Sequence, residues 1–182
     1  MSPLRADAER SVRAILEAAE RVLSADPAAS MEQIAEEAGV ARTTVHRRFA
    51  TRDVLIETLA ASAVRQIEEA IAAARPRTAP PLVAMHQATA NILGVKLAWR
   101  FAVTQIWPGS PAARIQERVT VAGDEIFQRL QQAGHIRADA DLRWARRAHR
   151  GLLDAAISPE ETETDPDLLA ARIVDTLLHG LG

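Results

Sequence analysis

The sequence predicts an all-α protein of about nine helices, and three observations carry that expectation. Ala, Leu, Glu, Arg and Gln, all good helix formers, dominate the 182 residues. Apolar residues recur at three- and four-residue spacing, and no stretch shows the period-two alternation of a half-buried strand. Runs containing Gly or Pro cut the chain into segments of helical length.

The totals bound the possibilities further. A hydrophobic content of 48% is enough for a packed core, and a net charge of −2 gives no global reason to expect nucleic acid. With no Cys, a disulfide scaffold, a thiolate nucleophile and a Cys-based metal site are excluded. Met1–Arg13 is polar and lacks the apolar core of a secretory signal. No apolar run reaches the roughly 18 residues a membrane helix needs, so a cytoplasmic protein is expected.

Val12, Ile15, Leu16, Ala19, Val22 and Leu23 form one face of a helix over about 7–24, ended by Asp26-Pro27. Ser30 with Gln33 three residues on makes a capping box. Ile34, Ala35 and Ala38 then bury a helix of about two turns, stopped by Gly39. A third short helix, about 41–48, sets Val45 and Phe49 inward. Thr51 caps a fourth, about 52–74, with Asp53 near its positive end and a stripe of Val54, Leu55, Leu59, Ala63, Ile67 and Ile71. "RPRTAPP" (75–81) breaks the pattern. Helical sequence resumes over 82–106 with a break expected near Gly94, and "WPGSP" (107–111) turns the chain. Further helices are expected over about 112–133, 142–157 and 167–180, the last started by Pro166 after an acidic loop, "SPEETETDP" (158–166).

The second and third helices, joined by a Gly-containing turn, make a helix-turn-helix unit whose second helix suits the DNA major groove. At about 100° per residue, Val45 and Phe49 lie about 40° apart and define the inward side. Thr43 and Arg47 point away from it, flanked by Thr44 and His46, while Arg42 reaches from the N-terminal tip. Hydroxyls and guanidinium groups suit phosphate oxygens and base edges. Arg48 lies nearer the buried edge, where contact with DNA and packing on Phe49 are both open. The stretch "GVARTTVHRRFATR" (39–52) holds four arginines and no acid in a chain that is otherwise slightly acidic.

"MEQIAEEAGVARTTVHRRFATRDVLIETL" (31–59) resembles the TetR family of bacterial transcriptional regulators. Ile34-Ala35, Ala38-Gly39-Val40, Thr44, Phe49, Arg52 and Leu55 carry the resemblance. His46 and Arg48 stand where the family has aromatics, and Arg52 where it has Lys. The resemblance implies DNA contacts from Arg42, Thr43, Thr44, His46, Arg47 and Arg52, with a further phosphate contact from Ser30. It divides the chain into a DNA-binding domain, 1–52, and a ligand-binding and dimerisation domain, 53–182. It also implies a homodimer on a pseudo-palindromic operator, released by a small-molecule effector. Candidates for the dimer contact are Leu152, Leu153, Ala156, Leu168, Leu169, Ile173, Leu177 and Leu178. Candidates for a ligand pocket are Met85, His86, Asn91, Trp99, Phe101, Gln105, Trp107 and Phe127.

The arginines of "LRWARRAHRGLL" (142–153), with His149, read as solvated groups or partners of the acidic loop. The five His are too scattered for a metal pair, and no phosphate loop or nucleophile elbow is present. No cofactor and no enzyme activity is expected. The competing expectation is a helical interaction protein without sequence-specific DNA binding.

Overall fold

The computed structural model describes the backbone of residues 3–158 and 161–180, with side chains from Glu9 onward. Met1, Ser2, Pro159 and Glu160 of the acidic loop, Leu181 and Gly182 lie outside the described residues. Among the described residues there are nine helices and no strand: α1 (Pro3–Ala25), α2 (Met31–Glu37), α3 (Arg42–Arg48), α4 (Arg52–Ala73), α5 (Pro81–Ala98), α6 (Arg100–Thr104), α7 (Pro111–Gln132), α8 (Leu142–Ala155) and α9 (Pro166–His179). No helix among them is long and apolar enough to cross a membrane.

Local chemistry sets most boundaries. The Gln33 amide donates to Ser30 Oγ (3.3 Å) and the Ser30 amide to Gln33 Oε1 (2.8 Å), closing the expected capping box. Thr51, Ser110, Asp141 and Asp165 cap α4, α7, α8 and α9 through their side chains. Gly39 ends α2 at φ 65°, a left-handed conformation that Gly adopts without strain.

One boundary differs from expectation. Gly94 stays inside α5, and the chain breaks at Trp99 (φ −127°, ψ 48°) instead. The cause is a long-range cap. Glu20 of α1 accepts the amides of Phe101 (2.7 Å) and Ala102 (3.0 Å) at the start of α6, and Ser24 Oγ also donates to it (2.9 Å). Glu20 is buried, and these donors satisfy it.

Two hydrophobic clusters divide the molecule. Ile15, Leu23, Ile34, Val45, Phe49, Leu55 and Leu59 form the core of a small head built on α1–α3. Val64, Ile67, Ile71, Met85, Leu93, Leu130 and Leu169 belong to a larger core in which α4 packs along α5 and α7, and α5 along α9. The cores do not divide at residue 52. The first half of α4 serves the head and the second half the body, while Ala102 of α6 also enters the head core.

Candidate DNA interface and ligand cavity

The head presents α3 on its surface. Val45 and Phe49 are buried beneath it, at 0% and 3% exposure, because their spacing turns both toward α1 and α2. Arg42, Thr43, His46, Arg47 and Arg48 are exposed and Thr44 is half-buried. The helical projection therefore assigns the inner and outer sides correctly.

The four arginines are not equivalent. Arg42 pairs with Glu32 of α2 at 2.6 Å, and its Nε approaches Nε2 of His46 at 3.5 Å. Glu32 is exposed; its carboxyl is held below the usual value by a backbone hydrogen bond first and then by Arg42. Arg52 is half-buried and donates to the carbonyls of Ala29 (3.3 Å) and Pro27. Its charge thus fastens the loop that delivers Ser30 to the head of α2. Arg48 lines a crevice between α1 and α4 with Glu17, Thr58 and Trp99, on a different side from Thr43 and Arg47. Among the described residues, Arg47 has no ion-pair or hydrogen-bond partner. Ser30 is half-buried, with its oxygen engaged in the capping box.

The body contains a cavity of about 340 Å³ between α4, α5, α6, α7 and α8. Ile67, Ile71, Ile92, Val119, Ile126 and Leu153 supply much of its apolar wall. The volume lies at the small end of the range of about 300–1,000 Å³ typical of ligand sites. Its polar edge comes chiefly from α8, where Arg146, His149, Arg150 and Asp154 share one side at i, i+3, i+4 and i+8. Lys96 of α5 pairs with Asp154 at 2.7 Å, and Arg146 with Asp124 of α7.

His149 is 8% exposed, and burial pushes its imidazole down to about 4, so the ring is neutral at physiological pH. The Thr89 hydroxyl donates its one proton to the Met85 carbonyl (2.8 Å), so its oxygen accepts from Nε2–H of His149 (3.0 Å). That fixes the tautomer and leaves Nδ1 as an acceptor. Phe127 meets the ring edge-on, with centroids 5.8 Å apart.

Residues 15–59 match the profile of bacterial regulatory proteins of the tetR family. Over 174 residues the chain is 30% identical to the HTH-type transcriptional repressor LfrR of Mycolicibacterium smegmatis, covering 95% of this chain and 91% of that protein. The chain belongs to the TetR family. A TetR-like regulator of this kind is a transcription factor and not an enzyme. The fold is similar to the structure of LfrR from Mycobacterium smegmatis in complex with proflavine, with a TM-score of 0.72 and 26% identity over 95% of this chain and 98% of that one. It is also similar in fold to the TetR regulator PfmR of Thermus thermophilus, with a TM-score of 0.75 and 18% identity over 92% of this chain and 98% of that one.

Within this TetR protein, two of the eight expected pocket residues, Met85 and Phe127, line the cavity. The other six lie elsewhere. His86 sits in an open groove with Leu82, His135 and His179. Asn91 is used structurally, donating to the Ala70 carbonyl of α4 (3.0 Å) and accepting from Gln87 (2.9 Å). Trp99 and Phe101 pack toward the head core, Gln105 donates to Thr104 Oγ1, and Trp107 is 40% exposed on its turn. Polar or aromatic character marks these residues, but helical phase (His86, Asn91, Phe101) or a place between helices (Trp99, Gln105, Trp107) keeps them from the cavity wall.

The helix expected over about 142–157 is present as α8, but its place in the cavity wall is unexpected. Among the described residues its basic run does not pair with the acidic loop: Glu161 pairs with Arg172 of α9 and Arg146 with Asp124. A signal is present: His149 falls in phase with Leu142, Ala145, Leu153 and Ala156 on the inner side of the helix.

Six of the residues expected at the dimer contact also serve the subunit's own core. Leu153, Ala156, Leu169 and Ile173 are buried against their own subunit, and Leu152 and Leu177 are half-buried against the same core. The outer sides of α8 and α9 expose Trp144, Gly151, Ala155, Ala171 and, of the expected dimer residues, Leu168. Trp144 and Leu168 are 63% and 59% exposed, and the Arg147 guanidinium lies 5.3 Å from the Trp144 ring centroid.

Proposed function

We propose that this TetR-family regulator is a homodimeric repressor that reads a pseudo-palindromic operator through α3 and lets go when a small molecule fills the cavity. The course of α4 supports this best. One helix anchors the head through Leu55 and Leu59 and lines the cavity through Ile67 and Ile71. A ligand that fits one tilt of α4 better than another biases the position of the head by that difference in affinity. On this reading residues 1–52 meet DNA in the cytoplasm, residues 53–182 bind effector and partner, and α4 belongs to both. LfrR is a repressor and its similar structure holds proflavine, which supports both the direction of control and a small-molecule effector.

Thr43, His46 and Arg47 form the exposed reading surface, with Thr44 beside it and Arg42 available once Glu32 is exchanged for DNA. Arg52 and Ser30 act at the edge, where both already hold the α1–α2 loop. A mobility-shift titration on DNA flanking the protein's own gene tests this. Wild type is expected to prefer one site, with affinity falling steeply as salt rises. Thr43→Ala with Arg47→Ala removes two direct contacts and is expected to weaken binding by roughly 10²-fold or more, at about 1–3 kcal/mol each. His46→Tyr restores the aromatic of the family pattern and is expected to preserve or strengthen binding. Wild type binding without site preference or salt dependence would sink the reading.

The exposed stripe of α8 and α9 is the surface we assign to the dimer. Gly151 and Ala155 permit close helix approach, and Trp144 and Leu168 supply apolar area on helices that otherwise show charge. Two copies joined there must set their α3 helices about 34–36 Å apart to meet successive major grooves. Gly151→Glu with Leu168→Asp is expected to yield a monomer by sedimentation, with helix content and melting temperature nearly unchanged. A wild-type chain that sediments as a monomer at micromolar concentration, with and without operator, would overturn the dimer.

A further inference from the structure

The rim of the cavity carries charges that do not cancel. Arg146, Arg150 and Lys96 face two acids, Asp124 and Asp154. Asp154 is taken by Lys96 at 2.7 Å, and Asp124 by Arg146. His149, the remaining titratable group on the wall, is buried and hydrogen-bonded to Thr89. No Glu among the described residues lines the cavity. Arg150 is exposed at the mouth and has no ion-pair or hydrogen-bond partner among the described residues. Both described acids of the rim are therefore already engaged, while one guanidinium fork is open.

Directly below this rim the wall is hydrocarbon: Ile67, Ile71, Ile92, Ile126, Phe127 and Leu153. A ligand that uses both features has a compact apolar body and a single anionic end. A cationic amphiphile of the same size would place its charge beside Arg146, Arg150 and Lys96 and would find no free carboxylate. A neutral one would gain the apolar wall alone.

We propose that the effector is a small apolar monocarboxylate, its body in the cavity and its carboxylate forked on Arg150. This rests on the reading of the cavity as the effector site. Arg suits the role because its planar fork matches a carboxylate with two parallel hydrogen bonds. The group sits at the mouth, where solvent screens it, so it contributes a modest share of affinity and a larger share of discrimination.

Octanoate, octanol and octylamine carry one tail with three different head charges at neutral pH. In calorimetric titrations of the full-length protein, octanoate is expected to bind about tenfold tighter than octylamine, with octanol between them. Arg150→Ala is expected to weaken octanoate about tenfold and leave octanol unchanged. Arg150→Lys is expected to recover part of the loss, since it keeps the charge without the fork. Octylamine binding as tightly as octanoate, or octanoate indifferent to Arg150→Ala, overturns the ligand class. The same titrations on the operator complex separate the two levels. Octanoate that binds through Arg150 without displacing operator upholds the ligand class and refutes effector control. Displacement by octylamine but not octanoate upholds effector control and refutes the ligand class.

Discussion

Replacing Glu20 by Ala is expected to cost about 3 kcal/mol of stability, because it strips a cap shared between two cores. Glu20 sits on α1 with 5% exposure and accepts from the amides of Phe101 and Ala102 and from Ser24 Oγ. The Ala102 residue is fully buried, so its amide has no water to turn to. Removing one partner of a buried hydrogen bond costs about 1–3 kcal/mol for the group left behind, and here two amides are abandoned together. In a chain of this size that corresponds to a drop of roughly 6–12 °C in melting temperature. Glu20→Gln is the sharper variant. It keeps the volume, but its NH2 group meets an amide donor where an acceptor stood, so only one of the two amides is satisfied. An intermediate loss is expected, with faster hydrogen exchange at Phe101 and Ala102. A melting temperature unchanged in both variants would show that α6 is held by packing alone.

Acidification is expected to weaken the fold through His149. Its imidazole, ordinarily near 6.5, is held at about 4 by burial. Above about 6.5 the ring is neutral folded and unfolded, and it contributes nothing to the pH dependence. Below that value the unfolded chain takes up a proton that the folded protein refuses until about pH 4. Stability therefore falls as pH falls through this window, by about 3 kcal/mol in total, of which roughly 2.5 kcal/mol is lost by pH 4.5. Carboxylates titrate in the same region, so the share of His149 is read as a difference. Denaturant melts at pH 7.5 and 4.5 should show a smaller loss for His149→Phe than for wild type. Thr89 can keep its bond to the Met85 carbonyl in that variant. Equal losses in the two proteins would show that the ring is not the group resisting protonation.

The sequence made the head legible and the cavity largely not, for a physical reason. Residues 30–52 are organised by contacts within a few positions: the capping box, the Gly39 turn, the Thr51 cap and the i, i+4 pair Val45–Phe49. Those rules act over one or two turns, so a linear string displays them. The cavity is assembled by residues up to about ninety positions apart, on helices whose rotation is fixed only by packing. Polarity alone then misleads: Asn91 reads as a ligand group and is a strut to Ala70, whereas His149 reads as solvated and is a wall. The break at Trp99 is invisible for the same reason, since its cap lies some eighty residues upstream on α1.

Arg42 pairs with Glu32, Arg52 holds two carbonyls, and Arg48 lies in the crevice of α1 and α4. Four arginines in fourteen residues thus leave one, Arg47, unengaged on the reading side. Grip on random-sequence DNA depends on how many cations stand ready to displace counterions. On the proposed operator reading, the Glu32–Arg42 pair is expected to open only where the DNA offers a better partner, so binding to random-sequence DNA should be weak and fall steeply with salt.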